Sequence, residues 1–224
     1  MAIQKLNRYS KNVRAKYIMD KLTRKEREFN TRRMEILEQA EKIFAVKGFH
    51  NVTVAEIANA SGFSIGSLYQ FFEGKENLYN TMITEKLDLM YGQIKEKVKA
   101  AQEITDKITM LIEAHFQFVE ENTDFCRIFL RGEIAPLSEM MTSLRQKIMD
   151  DHLQYLIFIE NILKSGIKTG YLRPLNHRAM AAALFSLIRT SAIDWMLLPE
   201  KESLSSKKDF IMDIFLKGVV KYEK

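Results

Sequence analysis

"TVAEIANASGFSIGSLYQFFEGKENLY", residues 53–79, decides how the rest of the chain is read. Thr53 stands before an apolar-periodic run and Glu56 follows three residues later. At that spacing a hydroxyl and a carboxylate satisfy the open amides of a helix start. A short helix is predicted over 54–61, ended by Gly62. Ser64 is placed to cap a second helix over 65–72, on which Ile65, Leu68 and Phe72 share an apolar side while Gly66, Ser67 and Gln70 fall elsewhere. Two short helices joined by a three-residue turn containing glycine form a helix-turn-helix, whose second helix can enter the major groove of DNA. Gly66 within that helix costs ~1 kcal/mol relative to alanine. Either tight packing or the close approach of a large object to the backbone has to account for it.

Working outward, "TRRMEILEQAEKIFAVKGF" (31–49) aligns Ile36, Leu37, Ala40, Ile43 and Phe44 on one stripe, with Thr31 as a cap and Gly48 as a stop. "KENLYNTMITEKLDLMYGQIKEKV" (75–98) continues as a long amphipathic helix, and helical periodicity recurs over 104–121, 123–132, 137–168, 176–197 and 205–222. Pro136, Gly170 with Pro174, and Pro199 punctuate these segments. Three prolines and nine glycines in 224 residues leave little material for turns. The chain reads as all-α: a basic arm over 1–29, a three-helix helix-turn-helix domain over 30–76, and a helical bundle over 77–224, with the long fourth helix as the joint.

Residues 1–33 hold eleven lysines and arginines against three acidic residues, a net of +8, which leaves 23 basic and 26 acidic residues in the other 191. A basic arm on a mildly acidic body favours a polyanionic partner, either nucleic acid or an anionic membrane surface. Cys126 is the one cysteine, and residues 1–30 contain no apolar signal region. The apolar run 179–188 falls short of the ~20 residues that cross a bilayer. A soluble, cytoplasmic protein without a membrane partner is expected.

No GxSxG, HExxH or CxxC occurs, and Gly74-Lys75 lacks the rest of a P-loop. The "DDH" at 150–152 places adjacent side chains in different directions on a helix. The expectation is no enzyme, no metal and no cofactor.

The stretch from Thr53 onward resembles the DNA-binding signature of the tetracycline-repressor (TetR) family of bacterial transcription regulators. It matches at Thr53, Ile57, Ala58, Gly62, Ser64, Gly66, Tyr69, Phe72, Lys75 and Leu78. The resemblance implies that Gly66 and Ser67 let the backbone approach the groove. Ser67 and Gln70 reach base edges, and Tyr69 and Lys75 reach phosphates. Thr53 and Ser64 cap helices facing the backbone, and Arg32, Arg33 and the arm supply positive charge. Two positions depart from the family pattern: many members carry lysine where this chain has Ile65, and tyrosine where it has Phe71.

The resemblance further implies an effector chamber and a two-fold dimer interface in the bundle. Chamber candidates are Met110, His115, Phe116, Phe118, Phe125, Arg127, Phe129, Met140, Met141, Tyr155, Phe158, Arg189 and Trp195. An apolar wall with few polar groups suits a small hydrophobic or amphipathic effector. Interface candidates are Ala179, Ala182, Ala183 and Ser186 on the penultimate helix and Phe210, Ile211, Ile214 and Phe215 on the last. The implied function is a ligand-responsive repressor that binds a palindromic double-stranded operator as a homodimer. The competing reading is a membrane-surface or helical-bundle interaction protein using the basic arm.

Overall fold

The computed structural model describes residues 23–131, 139–198 and 202–220. The sequence readings of the arm over 1–22, of Pro136 and Pro199, and of the side chains of Met140 and Met141 lie outside the described residues. The described chain is all-α. Its helices are α1 (Arg24–Lys47), α2 (Val54–Ala60), α3 (Ile65–Leu68), α4 (Lys75–Lys99), α5 (Ile104–Glu121), α6 (Thr123–Arg131), α7 (Glu139–Lys168), α8 (His177–Leu197) and α9 (Lys208–Val219). A 3₁₀ turn, Leu204–Lys207, leads into α9.

The first helix begins earlier than its apolar stripe suggests. Thr23 caps it: the hydroxyl accepts from the Glu26 amide at 3.3 Å, and the Glu26 carboxylate accepts from the Thr23 amide at 2.7 Å. Thr31 lies inside the helix, its hydroxyl donating to the Arg27 carbonyl. Residues 24–29, expected in the arm, are therefore helical. Phe29 uses this extension to pack its ring 4.6 Å from Phe71. Phe71 thus serves as packing surface where many relatives carry a hydroxyl.

The helix-turn-helix closes as the spacing requires. The Phe63 amide bonds the Ala58 carbonyl and the Gly62 amide that of Asn59. Gly62 adopts φ +74°, a left-handed turn that side-chain-bearing residues resist. The second helix is shorter than the predicted 65–72. After Leu68 the chain tightens, with Gln70 bonding Ser67 and Phe71 bonding Leu68 across three residues.

Ile36, Ala40, Phe44, Ile57, Leu68, Phe72 and Leu78 form the buried centre of the headpiece. This core runs on without a break into Phe118, Phe125, Ile128 and Leu144. A second core gathers Ile94, Ile108, Leu111, Phe116, Tyr155, Ile159, Leu184, Ile188, Ile211 and Phe215. Met90 and Tyr91 of α4 pack against both. Helix α4 is consequently a rigid member of two cores and not a linker between them.

Polar contacts fasten the same joint. Lys86 on α4 bonds Glu41 of α1 at 3.0 Å and Asn122, between α5 and α6, at 3.0 Å.

Candidate functional site

At α3 the structure separates a packed side from a bare one. Leu68 is fully buried and Phe72 nearly so, whereas Tyr69 and Gln70 are exposed and Ser67 half-buried. A β-carbon built on Gly66 meets only the Ser64 hydroxyl, at 4.0 Å. Packing within the chain therefore does not require glycine there, and the explanation left is the approach of something outside the chain. The Ser64 hydroxyl accepts from the Ser67 amide at 3.1 Å and lies 2.8 Å from the Ser67 hydroxyl, which fixes both side chains at the leading end of the helix.

Ile65 contradicts its assignment to the packed side. Although in phase with Leu68 and Phe72, it is 47% exposed, because a helix of one turn carries no preceding turn to cover its first residue.

Three residues expected to serve DNA are engaged within the protein. The Lys75 ammonium donates to the carbonyls of Phe49 at 2.9 Å and Val52 at 2.8 Å and sits 4.4 Å from the Phe49 ring centre. This ties the start of α4 to the loop between α1 and α2, a structural use in place of the expected phosphate contact. Arg33 forms a two-pronged pair with Glu85 on α4, at 2.5 and 3.1 Å, and lies over Phe72. The Thr53 hydroxyl both accepts from the Glu56 amide and donates to its carboxylate, in a capping box buttressed by Lys47 at 2.6 Å. That bond to Lys47, with the Thr53 amide bond, holds the Glu56 carboxyl down to about 2. Arg32 remains exposed.

A Lys75→Met variant should lose about 2–3 kcal/mol of unfolding free energy in urea titration, since two buried-side carbonyls lose a charged donor. Unchanged stability with a flatter salt dependence of DNA binding would return Lys75 to the phosphate.

The chamber candidates do not all converge. Phe118 and Phe125 belong to the headpiece core. Arg127 is exposed and pairs with Asp124, Phe129 is 41% exposed, and Arg189 is exposed. The Trp195 indole donates to the Glu202 carbonyl, fastening the chain after α8. Met110 and Phe158 are half-buried against the second core. Those that meet at its centre are His115, Phe116 and Tyr155, joined by Tyr91 and Phe185, which the pattern of helical stripes did not single out. A shallow groove of about 350 Å³ lies elsewhere, between Tyr171 and Met212, Leu216 and Val220 of the last helix.

His115 is the polar feature of this centre. Its Nδ1 lies 2.8 Å from the Leu111 carbonyl, which can only accept, so Nδ1 carries the proton. The Tyr155 hydroxyl lies 3.3 Å from the same atom. Nε2 is then a bare acceptor, buried and without a partner. Burial drives the imidazole's pKa down to about 4, leaving the ring neutral. Phe185 spans from this pair to His152, 5.1 Å away toward the surface. Burial, then the charges of Arg189 and Arg178, lower the His152 pKa, which places two cations beside it.

Helix α8 is long and apolar enough to cross a membrane by length and composition, although its 179–188 run alone is too short, and only 28% of its most apolar window is buried. Ala179, Ala182, Ala183 and Ser186 are exposed, as are Phe210 at 63% and Ile214 at 45%. Ile211 and Phe215 are not surface residues as expected. They are 1% and 4% exposed because α9 turns that stripe into the second core.

Comparison with known proteins accords with this architecture. Residues 36–82 match bacterial regulatory proteins of the tetR family, and residues 83–218 match the YsiA-like protein C-terminal region. The chain is 24% identical over 187 residues to the fatty acid metabolism regulator protein of Bacillus subtilis (strain 168), covering 83% of this chain and 94% of that one. It is 33% identical over 148 residues to the HTH-type transcriptional repressor KstR2 of Mycolicibacterium smegmatis (strain ATCC 700084 / mc(2)155), covering 64% and 69%. The fold is similar to that of FadR from Bacillus subtilis in complex with stearoyl-CoA, with a TM-score of 0.70 and 24% identity over 83% of this chain and 98% of that one. With its helix-turn-helix and its bundle both matched, the chain belongs to the TetR family and is a ligand-responsive, DNA-binding transcriptional regulator.

Proposed function

We propose that the protein is a cytoplasmic repressor that holds a palindromic operator as a dimer and is released by an amphipathic acyl thioester, of which long-chain acyl-CoA is the type. The observation that carries this reading is the bare Nε2 of His115 in an otherwise apolar centre. A buried acceptor without a partner carries a desolvation penalty that a ligand donor relieves. An acyl-CoA brings an amide N–H on its pantetheine arm close to an apolar chain that suits Phe116 and Phe185. Its phosphates suit the cations of Arg178 and Arg189. The similarity to a fold that binds stearoyl-CoA adds support.

Dimerisation through α8 and α9 would cover Ala182, Ala183, Ser186, Phe210 and Ile214, an apolar face too extensive to leave in water. Release follows if the effector favours a dimer whose recognition helices are wrongly spaced for DNA, since only differential affinity moves the equilibrium. Helix α4, shared by both cores, is the element that would carry that bias.

The test starts from DNA selected out of a random pool by the full-length protein. A dyad-symmetric consensus is expected. Stearoyl-CoA at micromolar concentration should release the protein from it in fluorescence anisotropy, while free CoA and stearate alone do so weakly. Selection of an asymmetric site would remove the dimer reading. Indifference to acyl-CoA of every chain length would remove the effector.

A further inference from the structure

We infer that Ile65 reads the 5-methyl group of a thymine in each operator half-site, which makes it a specificity-determining residue of this regulator. The inference rests on α3 being the helix that enters the groove. One exposed isoleucine is ordinary on a protein surface. Its position here is not. Ile65 is the first residue of the recognition helix, where side chains of a helix-turn-helix meet base edges, and it is 47% exposed with no part in either core.

Its neighbours leave the role to it. Gly66 offers no side chain and open space beyond its backbone. Ser64 and Ser67 hold each other's hydroxyls at 2.8 Å. Of the four residues 64–67, only Ile65 projects beyond the helix end with surface to bury, and that surface is aliphatic. The major-groove feature that rewards an aliphatic contact is the thymine methyl, since every other distinguishing group there is a hydrogen-bond donor or acceptor. A lysine at this position, as many relatives carry, would seek a phosphate or a guanine. Isoleucine turns the same position to a methyl group.

Uracil keeps the pairing and the O4 acceptor of thymine and lacks only the methyl, so it isolates the contact. In the DNA selected by the full-length protein, each thymine is replaced in turn by uracil and affinity is measured for the wild type, Ile65→Val and Ile65→Ala. One thymine in each half-site should weaken wild-type binding about fourfold on replacement, the ratio expected for one methyl group removed from apolar contact. Ile65→Ala should bind the thymine and uracil forms of that position equally and Ile65→Val should fall between, while responses at other thymines stay as in the wild type.

A second selection with Ile65→Ala should lose the thymine preference at that position alone. The inference is overturned if no thymine methyl matters more to the wild type than to Ile65→Ala, or if Ile65→Ala selects the same thymine as strongly. Failure of the underlying reading looks different: paired acidic substitutions at Ser67 and Tyr69 would then leave DNA binding intact.

Discussion

Replacing Ser67 and Tyr69 together by glutamate should weaken operator binding at least about a hundredfold in anisotropy titrations, because each groove contact is worth ~1–3 kcal/mol and a dimer loses it twice. The two new carboxylates also face a polyanion, so the loss should grow as salt is lowered. Folding should be nearly untouched. Tyr69 is 52% exposed, and the cap of α3 rests on the bond from the Ser67 amide to the Ser64 hydroxyl, which survives the substitution. Binding within about threefold of wild type would mean that α3 does not meet DNA.

Acid should weaken the fold through His115. Its imidazole, near 6.5 when unfolded, is held down to about 4 by burial. Above pH ~6.5 both states are neutral and the fold is fully stable with respect to this group. As pH falls below that value the unfolded chain takes up a proton that the folded chain refuses, so stability declines. The decline ends near pH 4, where the folded state also protonates, and amounts to roughly 3 kcal/mol over the window. Urea midpoints at pH 7, 5.5 and 4.5 should therefore drop more steeply for the wild type than for His115→Gln, which cannot titrate. Taking the difference cancels the carboxylates that titrate in both proteins. Parallel profiles would show that His115 is not sheltered as the structure places it.

Capping patterns explain where the sequence was legible and where it was misread. Thr53 and Glu56 were recognised as a helix start and form that box, as does Ser64 at α3. Thr23 and Glu26 display the same spacing and form the same box. Their signal was masked by the surrounding lysines and arginines, which suggested an arm. Long-range pairs were invisible for a different reason. Nothing local connects Arg33 with Glu85, Lys75 with the carbonyls of residues 49 and 52, or Lys86 with Glu41. The chamber was harder still, because Phe116 and Phe118 differ little in pattern yet belong to separate cores.

Hydrophobic period, capping pairs and turn glycines are local, so the chain order alone determined an all-α protein with a helix-turn-helix near its start. Which polar side chains remain available to DNA, which aromatic rings meet around His115, and which stripe of α9 faces water were decided by tertiary structure. The physical reason is that a helix has more apolar and charged positions than any one neighbour can use. The partners that claim them come from distant parts of the chain, and Ile65 is left bare because none does.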